Sequence, residues 1–429
     1  MKTNKVVASL LAVLLASTLV GCGNKADDPG TQPVATDTPS SQPVDDGTQG
    51  ITETSVKIAN SAATSGAYAP VGVPFIAGMN AYIDWVNSAG GIDGRKIEFL
   101  HTDDEFDPAK GSAALTEFVE DDKVFAVVGY FGTPVVAANL GALKEYGIPS
   151  VYFATGIGQL YAEKATDNDS GYNIFPVQPI YRTEGSIMTA YATGKFSAKK
   201  IGIIYTNDDA GMDLEKGAVA QIEKLDGVDY VEQQVAAGAA DVSAAVTAIK
   251  NANVDFIIVA SIQGTMPTIV KELAAQGVNK DCITTYVNVS SAMSEAVLAD
   301  ITGKFELYGL GWVDTESTDT QAALAEYQAN IADEYAMNAY AQTGWIAASF
   351  FAEGLRRLEG QEVTWTSYME ALQSAPIKNP FGGFIDYKDG QRLGTQEMNL
   401  SKVVPASERW AAGWELVEPV QSINDLLNR

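Results

Sequence analysis

The sequence predicts an α/β protein of two doubly wound parallel-sheet lobes joined by a multi-crossover hinge, and three observations carry that reading. Short β-rich runs alternate with longer amphipathic segments from about Thr54 to Leu310, in the manner of βαβ units. The alternation is too long for one sheet of ordinary size and falls into two sets, divided near Tyr172 to Pro179. After Leu310 the pattern turns mainly helical through about Gln373, then returns to strand-like sequence at Phe384 to Tyr387 and Leu393 to Val404. The expected lobes are therefore discontinuous: residues 54–174 with 305–378 make the first, and residues 175–304 with 379–429 the second.

The first set of strands runs Ser55 to Asn60, Lys96 to Thr102, Val124 to Tyr130 and Ser150 to Phe153. The second runs Lys199 to Thr206, Val228 to Gln234, Asp255 to Ala260 and Ile283 to Val287. Between the first two strands, Phe75, Ile76, Met79, Tyr82, Ile83 and Val86 recur with helical period after Pro74, which suits a helix start. Those six side chains are core. Asp107 and Pro108 open another helix, the Asp as cap and the Pro at the first helical position, running to about Glu120. Gly90-Gly91 and Asp93-Gly94 are turn formers that let a helix reverse into a strand.

The amino end reads as a targeting segment. Lys2 and Lys5 precede an apolar stretch from Val6 to Val20, short of the roughly 20 residues that a spanning helix needs. A cleaved signal peptide over residues 1–21 is the expectation. From Gly23 to about Glu53 the composition shifts to Pro, Thr, Asp, Gln, Ser and Gly. Such a segment buries too little apolar surface to offset its ordering entropy, so residues 22–53 read as a tether. Cys282 is the only Cys besides Cys22, and it is expected to be a small buried residue.

Composition narrows the function classes. Acidic residues number 54 against 28 basic, for a formal net charge of −26. Clustered Lys and Arg are what a phosphate backbone needs, so nucleic acid is excluded as a partner. There is no Gly-x4-Gly-Lys-Ser/Thr loop, no Gly-x-Ser-x-Gly elbow and no His-Glu-x-x-His pair. Gly156-x-Gly158 lacks the third glycine of a dinucleotide fingerprint. His101 is the single histidine, so any Ser-His or Cys-His mechanism would have to use it; a structural or rim role suits it better. Asp103 and Asp104 at a strand end point oppositely and suit capping rather than a metal. No enzyme activity, cofactor or metal is expected.

The ordered motifs carry a resemblance. They are Ser65-Gly66-Ala67-Tyr68 with Gly72, then Gly90-Gly91-Ile92-Asp93-Gly94-Arg95, then Asp103-Asp104 with Asp107-Pro108. Val128-Gly129 with Gly132-Thr133 follows, and Gly147-Ile148-Pro149 leads to Ala154-Thr155. Lys200-Ile201 to Tyr205, Asp208 through Gly211, and Phe381-Gly382-Gly383 with Asp386 and Gly390 complete the set. Together they resemble the leucine/isoleucine/valine-binding branch of the type I periplasmic binding proteins of ABC importers. Leu19-Val20-Gly21-Cys22 is similar to a bacterial lipobox, which implies lipid attachment at Cys22 and anchoring to a bacterial membrane outside the cytoplasm.

The resemblance implies a ligand held between the lobes, at the carboxyl ends of the strands. Gly129 to Pro134 ends a strand and starts a helix, where Thr133 can offer a hydroxyl beside unpaired amides at a positive helix end, or serve as an N-cap. Ala154 and Thr155 match the pair that supplies a carbonyl for an ammonium and a hydroxyl plus amide for a carboxylate. Tyr68 stands where the family puts an aromatic wall, with a surface tyrosine as the alternative. The second lobe departs from the pattern. Ala210 replaces an aromatic; Ser261, Ile262 and Gln263 stand where another is common; and Asn288 stands near an acidic ammonium partner. The ligand stays open among branched or aromatic amino acids, amides and other small carboxylates.

Three functions compete on this basis. A transport receptor delivering its solute to ABC permease subunits comes first, a solute sensor of the same fold feeding a signalling partner second, and a secreted enzyme a distant third.

Overall fold

Strand β1 (Ser55–Ala62) is buried along most of its length, as an inner strand of a parallel sheet covered on both faces must be. Helix α1 (Ala69–Ser88), β2 (Lys96–Asp103), α2 (Pro108–Thr116), β3 (Ala126–Phe131), α3 (Thr133–Tyr146), β4 (Ser150–Ala154) and β5 (Ile174–Phe175) follow. The five strands are parallel, in the order β2-β1-β3-β4-β5. Winding reverses between β1 and β3, which opens a crevice at their carboxyl ends. The computed structural model describes residues 47–429; the expected signal peptide, Cys22 and most of the expected tether lie outside the described residues.

The second sheet begins with α4 (Tyr181–Ala190), β6 (Lys200–Thr206), α5 (Asp209–Ile222), β7 (Asp229–Val235), α6 (Ser243–Ala252) and β8 (Phe256–Ala260). It continues through α7 (Thr265–Ala275), β9 (Cys282–Thr284), α8 (Ser291–Ile301) and β10 (Leu307–Gly311). Helices α9 (Gln321–Asn330), α10 (Ala339–Arg356) and α11 (Trp365–Gln373) precede a small hairpin of β11 (Ile377–Lys378) and β12 (Phe384–Ile385). The chain ends with β13 (Glu397–Val403), β14 (Trp414–Ser422) and α12 (Ile423–Leu427). Sheet order is β14-β13-β10-β9-β8-β6-β7, parallel from β7 to β10 and antiparallel at β13 and β14.

Several expectations change in detail. Strand β10 belongs to the second sheet, so the return to the first lobe follows residue 311 rather than 305. After it, α10 crosses back to pack on α1, β3 and β4. Helix α1 starts at Ala69, and Pro74 lies inside it rather than at its start. Residues 47–53 are docked rather than part of a tether: the Trp365 N–H donates to the Gly47 carbonyl at 2.8 Å, and the Lys57 N–H to the Gly50 carbonyl at 2.8 Å. Strand β14 escapes a sequence reading because Pro419 interrupts its apolar alternation, which only an edge strand tolerates.

Helix pairs on each sheet approach closely through glycines. A Cβ at Gly78 of α1 would stand 1.9 Å from the Ala341 carbonyl of α10, and one at Gly344 would stand 1.9 Å from the Phe75 carbonyl. The α4–α5 pair repeats the device, with Gly185 against the Leu214 carbonyl and Gly217 against that of Arg182. Cys282 is wholly buried, as expected, and burial pushes its thiol well up.

Candidate functional site

The carboxyl ends of both sheets face one cavity of about 220 Å³. On the first-sheet side, Phe131, Gly132 and Thr133 come from the junction of β3 and α3, Ala154 from the end of β4, and Phe75 from α1. Gly132 has φ 92°, and a Cβ there would stand 2.7 Å from the Phe106 ring. Glycine thus lets the chain turn into α3 beneath that ring. No side chain caps α3, so its first turn keeps the positive end that favours an anion.

Thr133 and Thr155 hydroxyls lie 2.8 Å apart, and Tyr181, whose phenol is held above its usual range by burial, stands beside them on the cavity. Thr133 and Tyr181 line the cavity; Thr155, almost fully buried, stands directly behind and accepts the Ile157 N–H at 3.2 Å. Ala154 lines the cavity, and its carbonyl accepts the Gly132 N–H at 3.4 Å. Tyr68 is one layer back, stacked on Phe106 with ring centroids 3.7 Å apart. Phe106 is the ring that faces the cavity.

On the second-sheet side, Gln263 follows β8 and lines the cavity with φ 47°. Asn288 holds that loop: its Oδ1 accepts the Gln263 N–H at 2.6 Å, while its Nδ2 donates to the Ser261 carbonyl and the Thr284 hydroxyl, both at 2.8 Å. All of its polar atoms are thus engaged in the protein. The Gln263 Oε1 is buried without a hydrogen-bond partner among the described residues. Ile262 lines the cavity beside it, whereas Ala210 is buried inside α5.

Sequence reasoning missed most of the aromatic wall. Tyr286 follows β9, Trp312 directly follows β10, and Trp410 and Trp414 come from the β13–β14 hairpin. An aromatic placed immediately after a parallel strand was the available signal for Tyr286 and Trp312. The wall is wired into the crossovers. Tyr286 donates its hydroxyl hydrogen to Gln178 Oε1 at 2.9 Å, and Gln178 Nε2 donates to the Tyr152 hydroxyl at 2.7 Å. Behind it, Glu184 accepts the Tyr286 N–H at 2.7 Å and the Thr285 hydroxyl at 2.8 Å. Burial pushes the Glu184 carboxyl up to about 8.

The remaining titratable candidates have structural partners. His101 faces the Thr64 hydroxyl at 3.1 Å and Asn60 Oδ1 at 3.3 Å, and burial lowers its pKa. Asp103 accepts backbone N–H groups of Thr64 and Glu105, and Asp104 accepts the Ser61 hydroxyl and the Phe106 N–H. Both aspartates therefore fix the loops around the crevice.

Comparison with known proteins identifies this architecture. The periplasmic binding protein family matches residues 55–408. A Leu/Ile/Val-binding protein homolog 1 from Brucella suis biovar 1 is 25% identical over 245 residues, 57% of this chain and 64% of that protein. The chain spans less than two thirds of the length of the curated relatives it matches. A branched chain amino acid ABC transporter from Thermus thermophilus, solved with bound valine, superposes with TM-score 0.74 at 16% identity, covering 88% of this chain and 99% of that one. A fatty acid ABC transporter substrate-binding protein from Thermomonospora curvata gives TM-score 0.73 at 18% identity, covering 89% and 95%. The family places the protein outside the cytoplasm. The chain belongs to the periplasmic binding protein family, and the relatives and solved structures it is similar to include Leu/Ile/Val-binding and branched chain amino acid members.

Proposed function

We propose that this protein is an extracytoplasmic solute-binding lipoprotein of an ABC importer, which captures an amino acid of branched-chain type or a related small carboxylate or amide between its two lobes. The observation that carries the reading is the hydroxyl cluster of Thr133, Thr155 and Tyr181 beside the uncapped start of α3, facing an aromatic wall across the cavity. Hydroxyls and a positive helix end suit a carboxylate, and aromatic rings suit an apolar body. Ala154 offers a carbonyl edge, Tyr68 supports the Phe106 ring, and Asn288 supports Gln263 at the opposite end. The names of the relatives and neighbours, which include Leu/Ile/Val, valine and fatty acid, favour a carboxylate with an apolar chain.

Thr133→Ala removes a hydrogen bond to a charged group, which costs about 1.5 to 3 kcal/mol, or about one to two decades in affinity. Thr155→Ala acts through the same cluster and weakens binding in the same direction. A thermal-shift screen of amino acids, amides and carboxylates followed by calorimetry on both variants tests this. Unchanged affinity in both, with folding intact, would place the carboxylate elsewhere.

Delivery to ABC permease subunits follows from the family reading, and attachment to the membrane from the lipobox-like Leu19-Val20-Gly21-Cys22. Two acyl chains on Cys22 hold a protein at a membrane stably. Cys22→Ala is expected to shift the protein from the membrane fraction to the soluble one; retention on membranes would refute the anchor.

A further inference from the structure

A carboxylate approaching this protein meets an unfavourable field, because the chain carries a formal net charge of −26. Hydroxyls and a helix terminus give direction but no full charge. Among the described residues lining the cavity, Arg409 is the sole cation. It stands on the loop between β13 and β14, and its guanidinium rests on the Trp410 ring at 4.6 Å from the centroid. No ion pair engages it among the described residues. Two acids share the lining: Asp314 accepts the N–H groups of Glu316 and Ser317, each at 3.0 Å, and Glu316 is exposed to solvent.

The loop is built rather than dangling. Ser294 donates to the Ala412 carbonyl at 2.8 Å, the Trp414 indole donates to the Ser290 carbonyl at 2.9 Å, and the Gly413 N–H donates to the Trp410 carbonyl at 2.8 Å. The first two bonds hold the loop to the start of α8, on the second-sheet side of the cavity, and the third closes a turn within it. A guanidinium stacked on an indole keeps its charge and its fork of donors while losing little hydration. From its side of the cavity it acts through its charge on a carboxylate held at the start of α3.

We propose that Arg409 is a specificity-determining residue of the cleft, which selects ligands bearing a carboxylate over their neutral amides. This rests on the capture of a small carboxylate or amide argued above and narrows it to the carboxylate. Arg409 supplies the attraction that offsets the field of the whole molecule, and Trp410 beside it covers the apolar body of the ligand.

The test is calorimetry of the intact protein with L-leucine, 4-methylpentanoate and benzoate, each beside its primary amide, at two salt concentrations. Arg409→Gln is expected to weaken the best-bound carboxylate about tenfold, to leave its amide within about twofold, and to flatten the salt dependence. Arg409→Lys, which keeps the charge, is expected to keep the salt dependence and most of the affinity. Carboxylate affinity and salt dependence both unchanged in Arg409→Gln, with Thr133→Ala still weakening the same ligand, would overturn Arg409 alone. Failure of all three carboxylates to bind the parent protein would sink the carboxylate reading and Arg409 together. A carboxylate and its amide losing affinity equally in Arg409→Gln would also overturn the proposal, since the residue would then be packing rather than selecting.

Discussion

Glu184 is a carboxyl in no ion pair among the described residues. It is fully buried on α4, and its hydrogen bonds from Thr285 and Tyr286 only partly offset the cost of desolvating its charge. With its folded pKa raised from 4.5 to about 8, the folded state holds a proton that the unfolded chain releases. Its contribution to stability is therefore full below the unfolded value and is lost as pH rises toward the folded one. His101, lowered by burial from 6.5, works in the opposite sense below that value, so the clean window lies between pH 6.5 and 8. Thermal unfolding is expected to shift downward as pH rises through that window. Glu184→Gln, which mimics the neutral acid and can donate to the Thr285 hydroxyl, is expected to flatten the dependence; an equal slope in the variant would show that another group is responsible. At this scale the sequence was partly legible. Thr133, Ala154 and Gln263 line the cavity, because each lies at the carboxyl end of a strand or in the turn just after it. Tyr68 and Asn288 were harder, since whether a loop side chain faces a cavity or braces its neighbour depends on Phe106 and Gln263, whose backbones take the unusual φ values of 65° and 47°.

At the scale of elements, apolar periodicity located the inner strands and the body of α1 because both lobes bury their sheets on two faces, and the Asp107 cap with Pro108 located the start of α2. The limits have physical causes. The expected strand from Ile283 breaks after Thr284, where Thr285 turns the chain into a short helical turn at Tyr286–Asn288. That turn swings Tyr286 to the cavity and makes Asn288 a brace. The close helix pairs were not legible at all. Gly78 and Gly344, like Gly185 and Gly217, matter only because a carbonyl of the facing helix sits within about 2 Å of where a Cβ would be. Nothing local distinguishes such a notch from a tolerated helix glycine. The late hairpin is the same kind of case. Pro419 hides β14 from a pattern search, yet the loop that leads into that strand is what brings Trp410 and Arg409 to the cavity.

For the molecule as a whole, the cavity lies where two sheets face each other, and its opening depends on the segments that join them. These segments are bonded to one another. Tyr387 donates its hydroxyl hydrogen to the Pro176 carbonyl at 2.9 Å, the Thr395 N–H donates to the Val177 carbonyl at 2.8 Å, and the Asp314 N–H donates to the Phe381 carbonyl at 2.6 Å. Arg392, wholly buried, sits among the rings of Phe175, Tyr172 and Tyr387 and donates to the Tyr172 carbonyl. Segments tied side by side resist sliding but permit the lobes to rotate about their common line, which is hinge rather than shear motion. A ligand touching Thr133 on one side and Gln263 or Trp312 on the other gains most when the lobes close on it, and binding shifts the population toward that state by its differential affinity. Saturating the protein with the tightest ligand from the screen is therefore expected to lower the radius of gyration in solution scattering. It is also expected to change the tryptophan emission, because Trp312, Trp410 and Trp414 all line the cavity. A changed emission with an unchanged scattering profile would mean that the ligand enters a cleft already closed, and the hinge would then play no part in capture.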